Sequence, residues 1–187
     1  MGSAPIHADT PQQKSILDFV SPTEFVELPS KGMGYSEDHP LSGEDVIEIR
    51  FMTAKDEDIL TSETLLKKGI ALERLLENII VNKTIDPKTM LIGDRNAVII
   101  AARASGYGNL YQTKTTCPKC GTGAEICFNL SEPKIQELNY EELEFLTKNE
   151  AGNFIIILPQ TNFSVEVRLL TGEDEQYLTK LAQNKKK

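Results

Sequence analysis

The chain has 187 residues, of which 40% are hydrophobic and 26% charged, with a formal net charge of -8 and no Trp. That length and composition suit one folded body, or two small lobes sharing a core, and exclude a large multidomain enzyme. An acidic chain with 6% aromatics lacks the basic, aromatic-rich surface that single-stranded nucleic acid needs, so a protein partner is expected first.

Residues 1–22 are polar, carry Pro5, Pro11 and Pro22, and hold one apolar patch, Ile16-Leu17-Asp18-Phe19-Val20. A flexible N-terminal arm is expected, either a disordered tail or one whose patch orders against a partner chain. Residues 23–108 read as a mainly helical core. Residues 25–29 form a short extended segment stopped by proline, followed by a glycine-bearing loop at 30–35. Gly32 and Gly34 do not make a phosphate loop, because no Gly-Lys-Ser/Thr follows and no helix opens directly after them. Residues 46–52 alternate as a strand, with Ile47, Ile49 and Phe51 on one face. Thr53, with Asp56 three residues on, predicts a helix N-cap. A longer helix is expected over 62–81, with Leu65, Leu72, Leu75, Leu76, Ile79 and Ile80 on a broad apolar face and Gly69 as its candidate break. Asp86-Pro87 predicts another helix start, and Asp94 a cap for a helix over 95–105 that stops at Gly106.

At Asn109 the character changes. β-Prone stretches at 111–116 and 124–130 flank a tight turn at 117–123, giving a hairpin over 109–130 with a cysteine pair at its tip. Residues 131–187 begin with an acidic, weakly helical connector through 150. A second hairpin, 154–158 with 163–170, then leads to a last helix capped by Thr171 and Asp174. No internal repeat beyond the two hairpins is expected. The predicted class is α+β: a helical core with two β-hairpins, one carrying a zinc-knuckle-like Cys-x-x-Cys turn, plus the flexible arm.

Cys117-Pro118-Lys119-Cys120-Gly121 is the most specific short motif. Such a turn aims backbone N–H groups at two sulfurs, and the glycine permits the positive φ that completes it. Structural zinc takes four ligands, so Cys117 and Cys120 are half a site, and the remaining candidates are Cys127, His39 and His7. Cys127 falls seven residues on, in a predicted strand. The expectation is a knuckle-shaped turn that lacks metal or is completed by residues outside this chain, with zinc as the candidate cofactor. Thioredoxin-like exchange is not expected, since a strand rather than a helix follows the pair. Two histidines and no serine in a nucleophile elbow leave no catalytic constellation, so no enzyme is expected. Tyr107 and Tyr111, near Arg103, are expected to pack against the hairpin base.

The longest apolar runs, 97–102 and 154–158, fall far short of the roughly 18 residues of a membrane span, and no secretory leader is read, so a soluble chain is expected. Three cysteines, an odd count, fit a reducing compartment. Charge is segmented: residues 37–66 carry nine acidic and two basic groups, and 67–120 nine basic and four acidic. These stretches read as solvated helix faces or as surfaces that dock a charged protein.

Several blocks together form a signature: Phe25-Val26-Glu27-Leu28-Pro29-Ser30-Lys31-Gly32; the strand from Val46 running into Thr53-Ala54-Lys55-Asp56-Glu57; Ile92-Gly93-Asp94-Arg95-Asn96; Ala101-Ala102-Arg103 through Gly106-Tyr107-Gly108; and the cysteine turn. Over about residues 23–180 the chain resembles the T4-type bacteriophage baseplate hub and hub-assembly family. The resemblance implies a protein of a myovirus contractile tail, made in the host cytoplasm and acting at the baseplate hub. It implies tail and baseplate proteins as partners in an oligomeric assembly, and no reaction, nucleic acid or membrane. Members often continue into a further segment with a second Cys-Pro-x-Cys-Gly. This sequence has no second pair, which leaves open both the completeness of the chain at Lys187 and the occupancy of a metal site. The alternative is a zinc-ribbon-type adaptor that binds nucleic acid through the basic middle third.

Overall fold

The computed structural model describes residues 22–131, 147–149 and 153–184. The predicted arm, except Pro22, and most of the acidic connector lie outside the described residues. The class is α+β as expected, with five helices among the described residues.

Strand β1 (Thr23–Glu27) pairs antiparallel with β2 (Val46–Arg50), placing Val26 opposite Ile47. The intervening loop folds back on itself through Lys31 N–H to Leu28 O, at 2.9 Å, and Gly43 N–H to Gly32 O, at 3.2 Å. Gly32 has a φ of +69, and a Cβ there would lie 2.3 Å from the Glu44 nitrogen. Gly69 has the same φ but open space around it. Gly32→Ala is therefore expected to lower stability by about 2–3 kcal/mol and Gly69→Ala by about 1, read by thermal denaturation. Equal losses would contradict the crowding at Gly32.

Helices α1 (Ala54–Thr61), α2 (Glu63–Lys68) and α3 (Ala71–Ile79) follow β2. The expected long helix is thus two, divided where Gly69 takes the left-handed conformation and ends α2. Helix α4 (Ile92–Tyr107) closes the body. One apolar cluster joins Val26, Leu28, Ile47 and Ile49 of the strand pair to Leu75, Leu76 and Ile79 of α3, Ile80, and Val98 and Ala102 of α4. Every member of that cluster precedes Asn109.

Two expectations are corrected here. Asp86-Pro87 opens no helix: Asp86 Oδ1 accepts the Lys88 N–H at 2.9 Å and its carbonyl the Thr89 N–H at 3.0 Å, closing a turn. After a bend at Met90, Leu91 bridges Thr171. Asp94 is no cap, because α4 begins at Ile92 and the Asp94 carboxylate is taken by tertiary donors described below.

Strands β3 (Leu110–Thr116) and β4 (Gly123–Asn129) form the cysteine hairpin, with Thr116 opposite Gly123 at its tip. Strands β5 (Thr147–Lys148), β6 (Phe154–Ile157) and β7 (Ser164–Val167) make a small antiparallel sheet in that order. The sheet contains the expected second hairpin. Helix α5 (Gly172–Asn184) follows. It reaches the body through Gly172 N–H to Met90 O, at 3.1 Å, Glu173 N–H to Lys88 O, at 3.0 Å, and an Arg95–Glu175 ion pair.

Candidate functional site

Asp94 is fully buried in the first turn of α4. Its carboxylate accepts from the Ser30 hydroxyl at 2.6 Å, the Ser30 N–H at 3.0 Å and the Tyr35 hydroxyl at 2.8 Å. The Tyr35 oxygen accepts the Leu91 N–H at 3.0 Å. Burial, reinforced by the Asp94 charge, holds the Tyr35 phenol far above its ordinary pKa, so it stays a donor. His39 stacks on Tyr35 with ring centroids 4.3 Å apart. Its Nδ1 accepts the Leu41 N–H at 3.1 Å, which leaves Nε2–H to meet Thr89 Oγ1 at 2.9 Å. Burial lowers the His39 pKa, in keeping with a neutral ring. Both ring nitrogens are engaged, so His39 anchors the loop that follows β1 and offers no free nitrogen to a metal.

At the end of β2, Arg50 donates to both Asp56 oxygens at 2.7 and 2.9 Å, while the Thr53 N–H and hydroxyl each donate to Asp56 Oδ2 at 2.8 Å. The expected Thr53 cap is therefore one limb of a clasp that ties strand to helix. The clasp recurs after β7. Arg168 grips Asp174 with two bonds of 2.5 Å, and the Thr171 N–H and hydroxyl donate to it at 2.9 and 3.1 Å. The shared pattern is Glu-x-Arg-x-x-Thr-x-x-Asp-Glu, over Glu48 to Glu57 and again over Glu166 to Glu175. The expectation of no repeat beyond the hairpins is thereby corrected. Its signal lay in five polar residues at fixed spacing, among apolar positions that differ in identity.

Burial alone would raise the Asp56 pKa, but the Arg50 and Thr53 hydrogen bonds outweigh it and hold the carboxyl at about 2, against 3.8 ordinarily. A depressed folded-state pKa contributes stability that is complete above the unfolded value and is lost as pH falls through the folded one. The chain is expected to lose this contribution between about pH 4 and pH 2. Asp56→Asn should flatten the acid limb of a stability–pH curve across that window; an unchanged limb would place the acid sensitivity elsewhere.

The cysteine turn is built as expected. The Cys117 N–H donates to Thr122 O and the Gly121 N–H to Cys117 O, each at 2.9 Å, with Gly121 at a φ of +70. The Cys120 thiol meets Thr122 Oγ1 at 3.3 Å. The Thr122 hydroxyl first, then its backbone N–H and the neighbouring Cys117, pull the Cys120 pKa down, as suits a thiolate ligand. Cys127 stands opposite Gln112, four residues along β4 from Gly123, about 13 Å at strand rise and out of reach of a metal at the tip. His7 lies outside the described residues. Among the described residues no group of three or more metal-ligating side chains gathers. Two thiols in a suitable turn fit half a zinc site, and the described residues do not supply the other half.

Past Asn109 many of the described large apolar side chains face outward. Leu110, Ile126 and Phe128 on the cysteine hairpin, Ile157 and Phe163 on the second, and Tyr177, Leu178 and Leu181 on α5 are all exposed. At the hairpin base an apolar groove of about 320 Å³ runs between Met52, Leu72, Ile100, Tyr107 and Leu130. Arg103 lies over the rings of Tyr107 and Tyr111, 5.0 and 5.7 Å from their centroids, so these tyrosines pack at the hairpin base as expected. Of the nine cations in the basic middle third, Lys67, Arg74, Lys88, Arg95 and Lys114 sit in ion pairs. No helix among the described residues is long and apolar enough to cross a membrane.

A family model described as T4 bacteriophage base plate protein matches residues 22–186. No curated protein and no solved structure matches the chain.

Proposed function

The chain belongs to the T4 bacteriophage base plate protein family over residues 22–186, and on that premise we propose that it is a structural or assembly component of the central hub of a contractile tail baseplate. Membership supports phage baseplate or tail proteins as its partners and the virion tail as its location. The hub position, a role in oligomeric assembly in the host cytoplasm, and action by docking without catalysis or nucleic acid are our reading.

One observation carries it. Apolar side chains that a free-standing domain would cover face outward on both hairpins and on α5, and exposed apolar surface of this kind marks protein–protein contact. Segmented charge suits the same role by orienting subunits as they meet. The nucleic-acid alternative is not favoured, since the matching family is a baseplate family and five of the nine cations it would use already sit in ion pairs within the chain.

We read Cys117 and Cys120 as half of a zinc site that residues outside this chain, on a neighbouring subunit, would complete. The isolated chain is expected to hold well below one equivalent of zinc by elemental analysis. A full equivalent would mean that the chain closes the site itself. The role is tested by mass spectrometry of purified tails and tail precursors. Copurification with hub proteins is expected, and absence from both particles and precursors overturns the reading.

A further inference from the structure

The two clasped modules match beyond the clasp. In the first, β1 runs on into Leu28-Pro29, and the Leu28 N–H donates to Asp45 O at 2.8 Å. In the second, β6 runs on into Leu158-Pro159, and the Leu158 N–H donates to Phe163 O at 2.9 Å. Val26 pairs with Ile47, and Ile156 with Val165. The shared register equates Leu28, Ile47 and Ile49 with Leu158, Val165 and Val167.

Their surroundings differ. Leu28, Ile47 and Ile49 are 2%, 3% and 0% exposed, whereas Leu158, Val165 and Val167 are 40%, 36% and 38% exposed. In the first module the covering cluster includes Leu75, Leu76 and Ile79 of α3. The chain leaving α3 then takes the strand edge: Ile80 bridges Ile49, and the Val81 N–H donates to Glu48 O at 3.1 Å. Among the described residues no segment pairs with the corresponding edge of β7, at Glu166 and Val167. The first module thus shows what such a face and edge receive.

We propose that the β6–β7 face is a docking site for an amphipathic helix of a partner subunit, one whose aliphatic stripe runs on into a short extended segment. The stripe follows the spacing of Leu75, Leu76 and Ile79, and the extended residues bridge Val167 and donate to the Glu166 carbonyl. Helix-in-groove binding joined to strand addition uses both features of the exposed surface. The proposal rests on the docking role for the identity of the partner, but the face can be tested without a baseplate.

The probe is a helix-stapled peptide copying residues 70–82 of this chain, titrated onto the full-length protein. Saturable binding is expected, with slowed hydrogen exchange at residues 164–168 and no binding by a peptide with its stripe scrambled. Val165→Asp, on the exposed face, should weaken binding at least about tenfold while leaving the thermal melt in place. Three results would overturn the proposal: no slowing at 164–168, unchanged affinity in a folded Val165→Asp protein, or exchange already slow there before the peptide is added. The last would mean that the chain covers its own face. The wild-type exchange data decide the matter even where the variant fails to fold. None of these results alters whether the protein is found in tails, so the two readings fail separately.

Discussion

Asp94→Ala is expected to lower folding stability by about 4 kcal/mol, the largest loss for any polar residue of this chain. The change removes the acceptor for the Ser30 N–H and hydroxyl and for the Tyr35 hydroxyl, stranding buried donors whose desolvation is no longer repaid. Ser30 can turn its hydroxyl elsewhere. Tyr35 cannot do so readily, because its oxygen is already held by the Leu91 N–H. For a domain of this size the loss corresponds to a Tm lower by roughly 8–16 °C, measurable by circular dichroism. Asp94→Asn keeps one acceptor and should cost about half as much. A loss below about 1 kcal/mol in the alanine variant would show that the loop after β1 does not depend on α4.

Ile49→Ala should cost about 3–4 kcal/mol, while Val167→Ala at the equivalent position of the second module should cost below about 1. Ile49 is fully buried, so truncation leaves a cavity between β2 and the helices. Val167 stands half in solvent, and its loss leaves no enclosed space. Denaturant midpoints of the two variants, at a common m-value, would measure the contrast. Equal costs would mean that the second face is as covered as the first, contrary to the docking site proposed for it.

These contrasts bear on how much a linear reading could find. Gly69 as a helix break, the cysteine turn between two strands, and the Thr53 and Thr171 caps were legible because each is set by residues within a few positions of it. Asp94 was misread for the same reason. An aspartate just ahead of an apolar helical run has the sequence signature of an N-cap, and nothing nearby reveals that its partners sit at Ser30 and Tyr35. Asp86 shows the converse: its turn forms, but the Met90 carbonyl and Leu91 that follow are committed to Gly172 and Thr171, so no helix propagates. His39 stood among the metal candidates on residue type alone, until Thr89 and the Leu41 N–H accounted for both nitrogens.

The sequence by itself determined the mixed class, the order and approximate extent of most elements, the local caps, and the tight turn that brings Cys117 and Cys120 together. It carried, unread, the repeated Glu-x-Arg-x-x-Thr-x-x-Asp-Glu pattern. Only the tertiary structure decided that the two copies differ in state, one sealed by α3 and α4 and the other left facing outward. The physical reason is that periodicity marks which side of a strand is apolar, whereas burial depends on which distant segment arrives to cover it.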